Sequence, residues 1–375
     1  MKKLLFVFGT RPEAIKMAPL VIKAKDSKLF NVKVCVTGQH REMLDQVVNF
    51  FGIQPDFDLN LMRPNQTLND VAKFVIEGLD KILSSESIDC VLVHGDTTTT
   101  MASSLAAFHR KVPIAHIEAG LRTHDMYSPW PEEMNRRVAG LLTRWHFAPT
   151  AISEKNLLNE GVPQGHIHVT GNTVIDALHL VVKQIESKGA VEKELSEKFP
   201  FLNDKKRMIL VTGHRRENFG AQFIDICKGI RKLAENHDVQ IVYPVHLNPN
   251  VQTPVKEILG DVPNIYLLPP QDYVPFVYLM TKSYLIITDS GGVQEEAPSL
   301  QKPVLVMRET TERPEAVAAG TVKLVGPSGK KIYEEATLLL KSESEYQKMA
   351  GALNPYGDGN ACGRIVEVLA KELEL

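Results

Sequence analysis

Short, uniformly apolar runs alternate with longer amphipathic segments along most of this chain. The runs at residues 4–8, 32–37, 90–94, 114–118, 145–148 and 167–170 are rich in β-branched and aromatic side chains. Between them, residues 13–25, 67–84 and 98–110 carry apolar positions at helical spacing. Strands that are apolar on both faces and separated by helices belong to a parallel sheet covered on both sides. The alternation then begins again after Asn172, with a helix, a charged stretch over 183–206 expected in solvent, and strands at 208–212, 240–245, 264–268, 284–288 and 303–307. The pattern predicts an α/β chain of two Rossmann-like doubly wound domains, 1–171 and 172–359, facing each other across a cleft. A last helix, about 361–373, follows the Gly/Pro-rich break at 354–359, and segment 360–375 is expected to pack back on the first domain.

Length agrees with two domains, because 375 residues exceed the roughly 100–200 that one core usually holds. A net charge of −2 removes the general basic excess that phosphate-backbone binding needs, so no nucleic-acid partner is expected and any anion site is local. The four cysteines are scattered, and Cys35 and Cys90 sit inside apolar runs. They predict buried thiols in a reducing cytosol rather than a disulfide framework. The first apolar run, ended by Gly9 and Pro12, is too short for a signal or a membrane span. A cytoplasmic chain without membrane attachment is the expectation.

Ligands of open α/β sheets bind at the carboxyl ends of the strands, so polar residues just after strands carry the functional information. After the first strand comes Gly9-Thr10-Arg11-Pro12-Glu13. Pro12 suits a first helical turn, and Arg11 and Lys16 beside a helix N-terminus make an anion site. A solvated Arg and Lys would be the bland alternative. Three carboxylates lie at strand ends or in loops: Asp96 after 91–94, Glu118 after 114–117, and Glu132 in Ser128-Pro129-Trp130-Pro131-Glu132-Glu133. Adjacent strand ends bring Asp96 and Glu118 onto one rim, where like charges can divide acid from base roles. Asp96 competes with a reading as helix N-cap over the following threonines, and Glu132 with one as a first-turn helix charge.

The second domain repeats the theme. Gly213-His214-Arg215-Arg216 follows one strand and His246 another. Asp289-Ser290-Gly291-Gly292 stands at a strand-to-helix turn, where small residues let backbone N–H groups approach a phosphate. Glu296, one turn on, suits ribose hydroxyls, and Arg313 offers a loop cation. A Walker loop, a G-x-G-x-x-G turn after the first strand, a G-x-S-x-G elbow and metal-ligand histidine spacing are all missing. Neither a bound dinucleotide nor a metal is expected, so the cofactor expectation is none.

Taken together, Phe8-Gly9-Thr10-Arg11-Pro12-Glu13-Ala14-Ile15-Lys16, the blocks around Asp96, Glu118, Pro131-Glu132-Glu133, His214 and Ser290-Gly291-Gly292, and Asn354-Pro355-Tyr356-Gly357-Asp358-Gly359 resemble the non-hydrolysing UDP-N-acetylglucosamine 2-epimerases, of GT-B architecture. The resemblance covers nearly the whole chain. It implies interconversion of UDP-GlcNAc and UDP-ManNAc for polysaccharide synthesis by a cytoplasmic homodimer. It implies catalytic roles for Asp96, Glu118 and Glu132, with His214 assisting. Arg11, Lys16, Gln271, Phe276, Ser290, Gly291, Gly292, Glu296 and Arg313 would join Asp96, Glu118 and His214 in holding the UDP-sugar. Some members bind a second UDP-GlcNAc as activator, and Gln39, His40, Arg215 and His246 are the candidates here.

The chemistry favours the same direction. The C2 proton of UDP-GlcNAc is not α to a carbonyl, and no dinucleotide is expected to activate it. Expelling UDP to form 2-acetamidoglucal, then re-adding UDP with a proton delivered to the other face of C2, inverts C2, given a base, an acid and cationic stabilisation of departing UDP. A GT-B glycosyltransferase using a UDP-sugar is the alternative, a hydrolysing relative the third reading. A non-catalytic nucleotide-sugar sensor would not need the carboxylates.

Overall fold

The computed structural model describes every residue except Gln39, His40, Pro64, Lys188, His237 and Leu375. Among the described residues, β1 (Lys2–Phe8), β2 (Phe30–Val36), β3 (Phe57–Asp58), β4 (Cys90–His94), β5 (Ile114–Ile117), β6 (Trp145–Ala148) and β7 (Ile167–Val169) form one parallel sheet, ordered β3-β2-β1-β4-β5-β6-β7. A second parallel sheet holds β8 (Arg207–Thr212), β9 (Val239–Pro244), β10 (Ile265–Leu268), β11 (Leu285–Thr288), β12 (Val304–Val306) and β13 (Val322–Leu324), ordered β10-β9-β8-β11-β12-β13. Each sheet runs outward one way from its first strand and then reverses, the doubly wound plan expected from the apolar runs. The reversal lies between β1 and β4 in one sheet and between β8 and β11 in the other. Those two places are the switch points where such sheets bind ligands.

The strands are where they are because both their faces are covered. All of β4 is buried, including His94. The helix after it, Thr98–His109, buries Thr98, Thr99, Thr100, Ala102, Ser103, Ser104, Ala106 and Ala107. Small side chains on nearly every side let it pack closely, and Ser104 returns its hydroxyl to Thr100 O at 2.8 Å. All four cysteines are buried and unbridged. Burial pushes the Cys35 thiol up to about 12, so it is a packing residue rather than a nucleophile. No helix among the described residues is long and apolar enough to cross a membrane.

The chain divides into two compact units, Met1–Ala177 with Tyr356–Leu375, and Leu178–Pro355. The division differs from the expected 171/172 and 359/360 borders by several residues, for a local reason. Asn172 N–H donates to Tyr356 O at 2.7 Å, and the Asp176 carboxylate accepts from the N–H of Ala361 and Cys362 at 3.1 and 2.9 Å. Gly171 and Gly357 meet so closely that a Cβ on Gly171 would stand 3.3 Å from the Gly357 Cα. The first turn of the helix Thr173–Ser187 is thereby stitched to the C-terminal segment, and both belong to the first unit. The charged stretch over 183–206 is mostly exposed, as expected. It contains a helix, Gly189–Lys198, with Leu195 buried and Phe199 tucked in behind it.

Candidate active site

In the first unit, the turn after β1 is built around a buried acid. Thr10 caps the helix Arg11–Ser27 in a capping box with Glu13. Glu13 Oε2 accepts from Gly9 N–H at 3.0 Å and from Thr10 N–H and hydroxyl at 2.8 Å each, and Oε1 accepts from the Thr97 hydroxyl at 2.6 Å. Burial pushes this carboxyl above its ordinary range, and the hydrogen bonds from Thr97, Gly9 and Thr10 oppose the shift. A Cβ on Gly9 would fall 1.9 Å from Thr37 Oγ1, so only glycine lets the turn lie this close to β2. Glu13 is a pin that joins the β1 turn to the β4 turn. The pin sets the spacing of the two strand ends.

Glu118 stands immediately after β5 in the left-handed region, at φ 61°, a conformation that costs a non-glycine residue about 1–3 kcal/mol. Its Oε2 pairs with Lys16 Nζ and accepts from Asn172 Nδ2 at 2.7 Å. Lys16, expected to face an anion, therefore reaches from the helix Arg11–Ser27 to this carboxylate. His94 Nε2 lies 3.9 Å from the same oxygen, buried and without a hydrogen-bond partner among the described residues. Burial holds His94 neutral, at about 4, with Glu118 opposing and Lys16 reinforcing the shift. The His116 ring anchors the neighbouring β4 turn through Nε2 and Gly95 O, 2.7 Å apart.

Asp96 follows β4 and is half-buried. It is not the helix cap: Thr97 is, its side chain accepting from Thr100 N–H at 3.1 Å. Arg136 instead sends Nε and Nη2 to Asp96 Oδ2, at 3.0 and 2.7 Å, and Asn135 Nδ2 holds the Asp96 carbonyl at 2.9 Å. Each of the two rim carboxylates thus has its own cation, which offsets the like-charge interaction expected between them. The helix Glu132–Leu142 distinguishes its two leading acids. Glu133 is fully buried, accepting from Thr123 and His124 N–H at 3.0 and 3.2 Å and from Arg136 Nη1 at 3.1 Å. It is structural. Glu132 is half-buried, and its side chain makes no hydrogen bond among the described residues.

In the second unit, the loops after β8, β9 and β11 meet at that sheet's switch point. Asp289, fully buried after β11, accepts from the N–H of His214 and of Arg215, each at 2.8 Å. The His214 ring stacks on His246, centroids 5.4 Å apart at 16°. Burial pushes His214 below its ordinary range; Asp289 opposes this, while His246 and Arg215 add to it. Ser290 caps the short helix Gly291–Glu296 with no side-chain hydrogen bond. A Cβ on Gly291 would stand 4.0 Å from Arg313 Cζ, and one on Gly292 3.8 Å from Glu296 Oε2. A cation and a carboxylate therefore border this side-chain-free turn. Arg313 Nε also pairs with buried Glu295, and Tyr273 donates its hydroxyl to Glu296 Oε1 at 2.8 Å. Gln271 and Phe276 are half-buried nearby in sequence, at and just inside the start of the helix Tyr273–Lys282. Gln271 Oε1 is buried without a partner among the described residues.

The structure thus gathers Lys16, Asp96 and Glu118 around the first switch point, with Arg11 opening the helix after β1. It gathers His214, Arg215 and His246, and separately Gly291, Gly292, Glu296 and Arg313, in the second unit. Gln39 and His40 lie outside the described residues. Asn172, Arg136, Glu13 and Asp289 do not stand out in the sequence. Only Glu13 has a local signal there, the Thr10–Glu13 capping-box spacing.

The sequence profile described as UDP-N-acetylglucosamine 2-epimerase matches residues 22–370. A UDP-N-acetylglucosamine 2-epimerase of Escherichia coli O157:H7 is 60% identical over 368 residues, 98% of each chain. Its counterpart from Salmonella typhimurium is 59% identical over 368 residues, again 98% of each chain. The crystal structure of UDP-GlcNAc 2-epimerase from Neisseria meningitidis bound to UDP-GlcNAc superposes with a TM-score of 0.89 at 54% identity, covering 98% of this chain and 100% of that one.

Proposed function

This chain belongs to the UDP-N-acetylglucosamine 2-epimerase family, and from that premise we propose that it interconverts UDP-GlcNAc and UDP-ManNAc by eliminating and re-adding UDP. The observation that carries the reading is the pair of carboxylates at the ends of the neighbouring strands β4 and β5, Asp96 held by Arg136 and Glu118 held by Lys16 and Asn172. Proton transfer needs such groups fixed within a fraction of an ångström, and cationic partners supply that fixation. The first unit provides Asp96, Glu118 and Glu132 as proton-transfer groups. The second provides the UDP groups: the Ser290-Gly291-Gly292 turn for phosphate, Arg313 for its charge and Glu296 for ribose hydroxyls.

In the forward step a carboxylate takes the C2 proton, the C–H electron pair becomes the C1–C2 double bond, and the C1–O bond breaks with its pair going to UDP. Arg313, beside the Ser290-Gly291-Gly292 turn, is the cation that offsets the developing charge. UDP then returns to C1 of the 2-acetamidoglucal while a carboxylic acid protonates C2 on the opposite face. Four free, buried cysteines support a reducing cytoplasm as the place of action. The family resemblance supports a homodimer that feeds polysaccharide synthesis.

Incubation with UDP-GlcNAc in D2O, followed by NMR without added nicotinamide cofactor, metal or acceptor, tests the reading. UDP-ManNAc bearing deuterium at C2 is expected. Stoichiometric free UDP and ManNAc would make the protein a hydrolase, and turnover only on adding an acceptor would make it a transferase. The nucleotide assignment has its own test. Glu296→Gln keeps an oxygen for the Tyr273 hydroxyl but loses the charge, and is expected to weaken UDP binding about 10- to 100-fold, the worth of one charge-assisted contact. Unchanged affinity by calorimetry removes Glu296 from the nucleotide site.

A further inference from the structure

Asp289 sits beneath the His214 loop with an unequal division of work between its two oxygens. Oδ2 accepts two backbone N–H groups, from His214 and Arg215, at 2.8 Å each. Oδ1 is buried and makes no hydrogen bond among the described residues, although the side chain is 0% exposed. An unpaired oxygen on a fully buried carboxylate is rare and calls for a donor. The ring nitrogen His214 Nδ1 lies 3.5 Å from Oδ1. A proton on Nδ1 turns that approach into a hydrogen bond after a shift of a few tenths of an ångström. On its face the ring is backed by His246, which stacks nearly parallel to it. His246 Nδ1 accepts from Asn248 N–H at 3.1 Å, which fixes the orientation of the backing ring.

We infer that Asp289 is the positioning residue for His214, holding the imidazole in the Nδ1–H tautomer and reserving the Nε2 lone pair for the substrate. The inference rests on the epimerase reading only for what Nε2 does there. The groups facing the His214 ring agree with a neutral ring: Arg215 and His246 oppose its protonation along with burial, and Asp289 alone favours it. A neutral Nδ1–H ring can accept a hydrogen bond at Nε2 from a substrate hydroxyl. The opposite tautomer can only donate there, so the carboxylate decides the polarity of the contact. The arrangement is a carboxylate–imidazole pair whose carboxylate is fixed first by backbone and then fixes the ring, so ring and loop cannot drift apart.

Asp289→Asn separates this role from a structural one. The amide oxygen can still accept the two backbone N–H groups, while the amide N–H2 faces Nδ1 and demands a lone pair there. The probe is long-range 1H–15N correlation on histidine-labelled protein at about pH 8, above the ordinary histidine range, with the His214 signals assigned by their loss in His214→Gln. The unmodified protein is expected to show Nδ1–H for His214, and Asp289→Asn to show Nε2–H. With UDP-GlcNAc, kcat is expected to fall on the order of 100-fold, the scale of an acid–base group placed wrongly, while UDP affinity and melting temperature change little. Nε2–H in the unmodified protein overturns the inference without any variant. So does a variant whose tautomer flips with kcat intact, or one that keeps Nδ1–H. Should the unmodified protein fail to epimerise at all, the epimerase reading falls, while the tautomer still decides whether Asp289 orients the ring.

Discussion

Glu118→Gln is expected to lower kcat by about 100- to 10,000-fold, the usual contribution of a proton-transfer group, while UDP affinity stays close to that of the unmodified protein. The substitution keeps the size of the side chain and the oxygen that Asn172 needs. It removes both the ability to take a proton and the charge that Lys16 Nζ is paired with. Lys16 and Glu118 side chains are only 17% and 7% exposed, so screening by solvent is weak. Losing one partner of a buried pair strands the other, a cost of about 3–5 kcal/mol in fully buried cases and less here. A lower melting temperature is therefore expected along with lost turnover, and the two effects need separating. The double variant Glu118→Gln, Lys16→Met removes the stranded ammonium and should recover much of the melting temperature. It should recover none of the turnover. If Glu118→Gln turns over normally in the folded fraction, Glu118 is a structural anchor and the carboxylate chemistry as proposed is wrong.

Most of the framework can be seen in the sequence because parallel strands covered on both faces read as uninterrupted apolar runs. Cys90–His94 and Trp145–Ala148 match the runs at 90–94 and 145–148 residue for residue. Where a strand escapes that reading, it carries too little of the signal. β3 is two residues at the sheet edge, one of them Asp58, and β13 is three, one of them Lys323. Nothing in five edge residues distinguishes a strand from a loop. The helix Gly189–Lys198 escapes for a related reason: it buries Leu195 alone, so its apolar periodicity is that of a solvated charge run. Tertiary packing decides these elements, and tertiary packing has no local signature.

The site is legible in the same uneven way. Residues that face a ligand sit at strand ends, and strand ends can be read, so position alone singles out Asp96, Glu118, His214 and the Ser290 turn. Residues that hold those groups cannot be found so. Arg136 reaches Asp96 from 40 residues away, Asn172 reaches Glu118 from 54, and Asp289 reaches His214 from 75. Asp289 meets His214 because β8 and β11 are sheet neighbours, and the other two contacts likewise join segments that only the fold brings together. Asp289 shows the difficulty best: its local context reads as a turn residue, and its function appears only once β11 is laid beside β8. Asp96 is ambiguous for the opposite reason. Asp96 and Thr97 are both good N-cap residues, and only the structure shows that Thr97 takes the role.

Because Thr97 holds the helix cap, Asp96→Asn is the cleaner of the carboxylate tests. The cap survives the substitution, and the asparagine oxygen can still accept from Arg136, whose Nε and Nη2 both converge on one Asp96 oxygen. What is lost is one partly exposed ion pair, its side chains 13% and 28% exposed, worth at most about 1 kcal/mol after solvent screening. Melting temperature should therefore barely move, while kcat falls by about 100- to 10,000-fold. Glu132→Gln should behave alike, since the half-buried Glu132 side chain has no hydrogen bond among the described residues for the change to break. Glu133→Gln is the contrasting control. Its buried carboxylate serves Thr123 N–H, His124 N–H and Arg136, so that variant should lose melting temperature first. The order of steps can be read from the products. A variant impaired mainly in re-addition carries out elimination and then loses its intermediate, releasing 2-acetamidoglucal and UDP in equal amounts with little UDP-ManNAc. NMR of the reaction mixture distinguishes the three products directly. Such a leak from Asp96→Asn or Glu132→Gln would assign that carboxylate to the protonation of C2. Loss of elimination as well would assign it to the removal of the C2 proton. Near-normal UDP-ManNAc formation by both variants would take the carboxylate rim out of the mechanism.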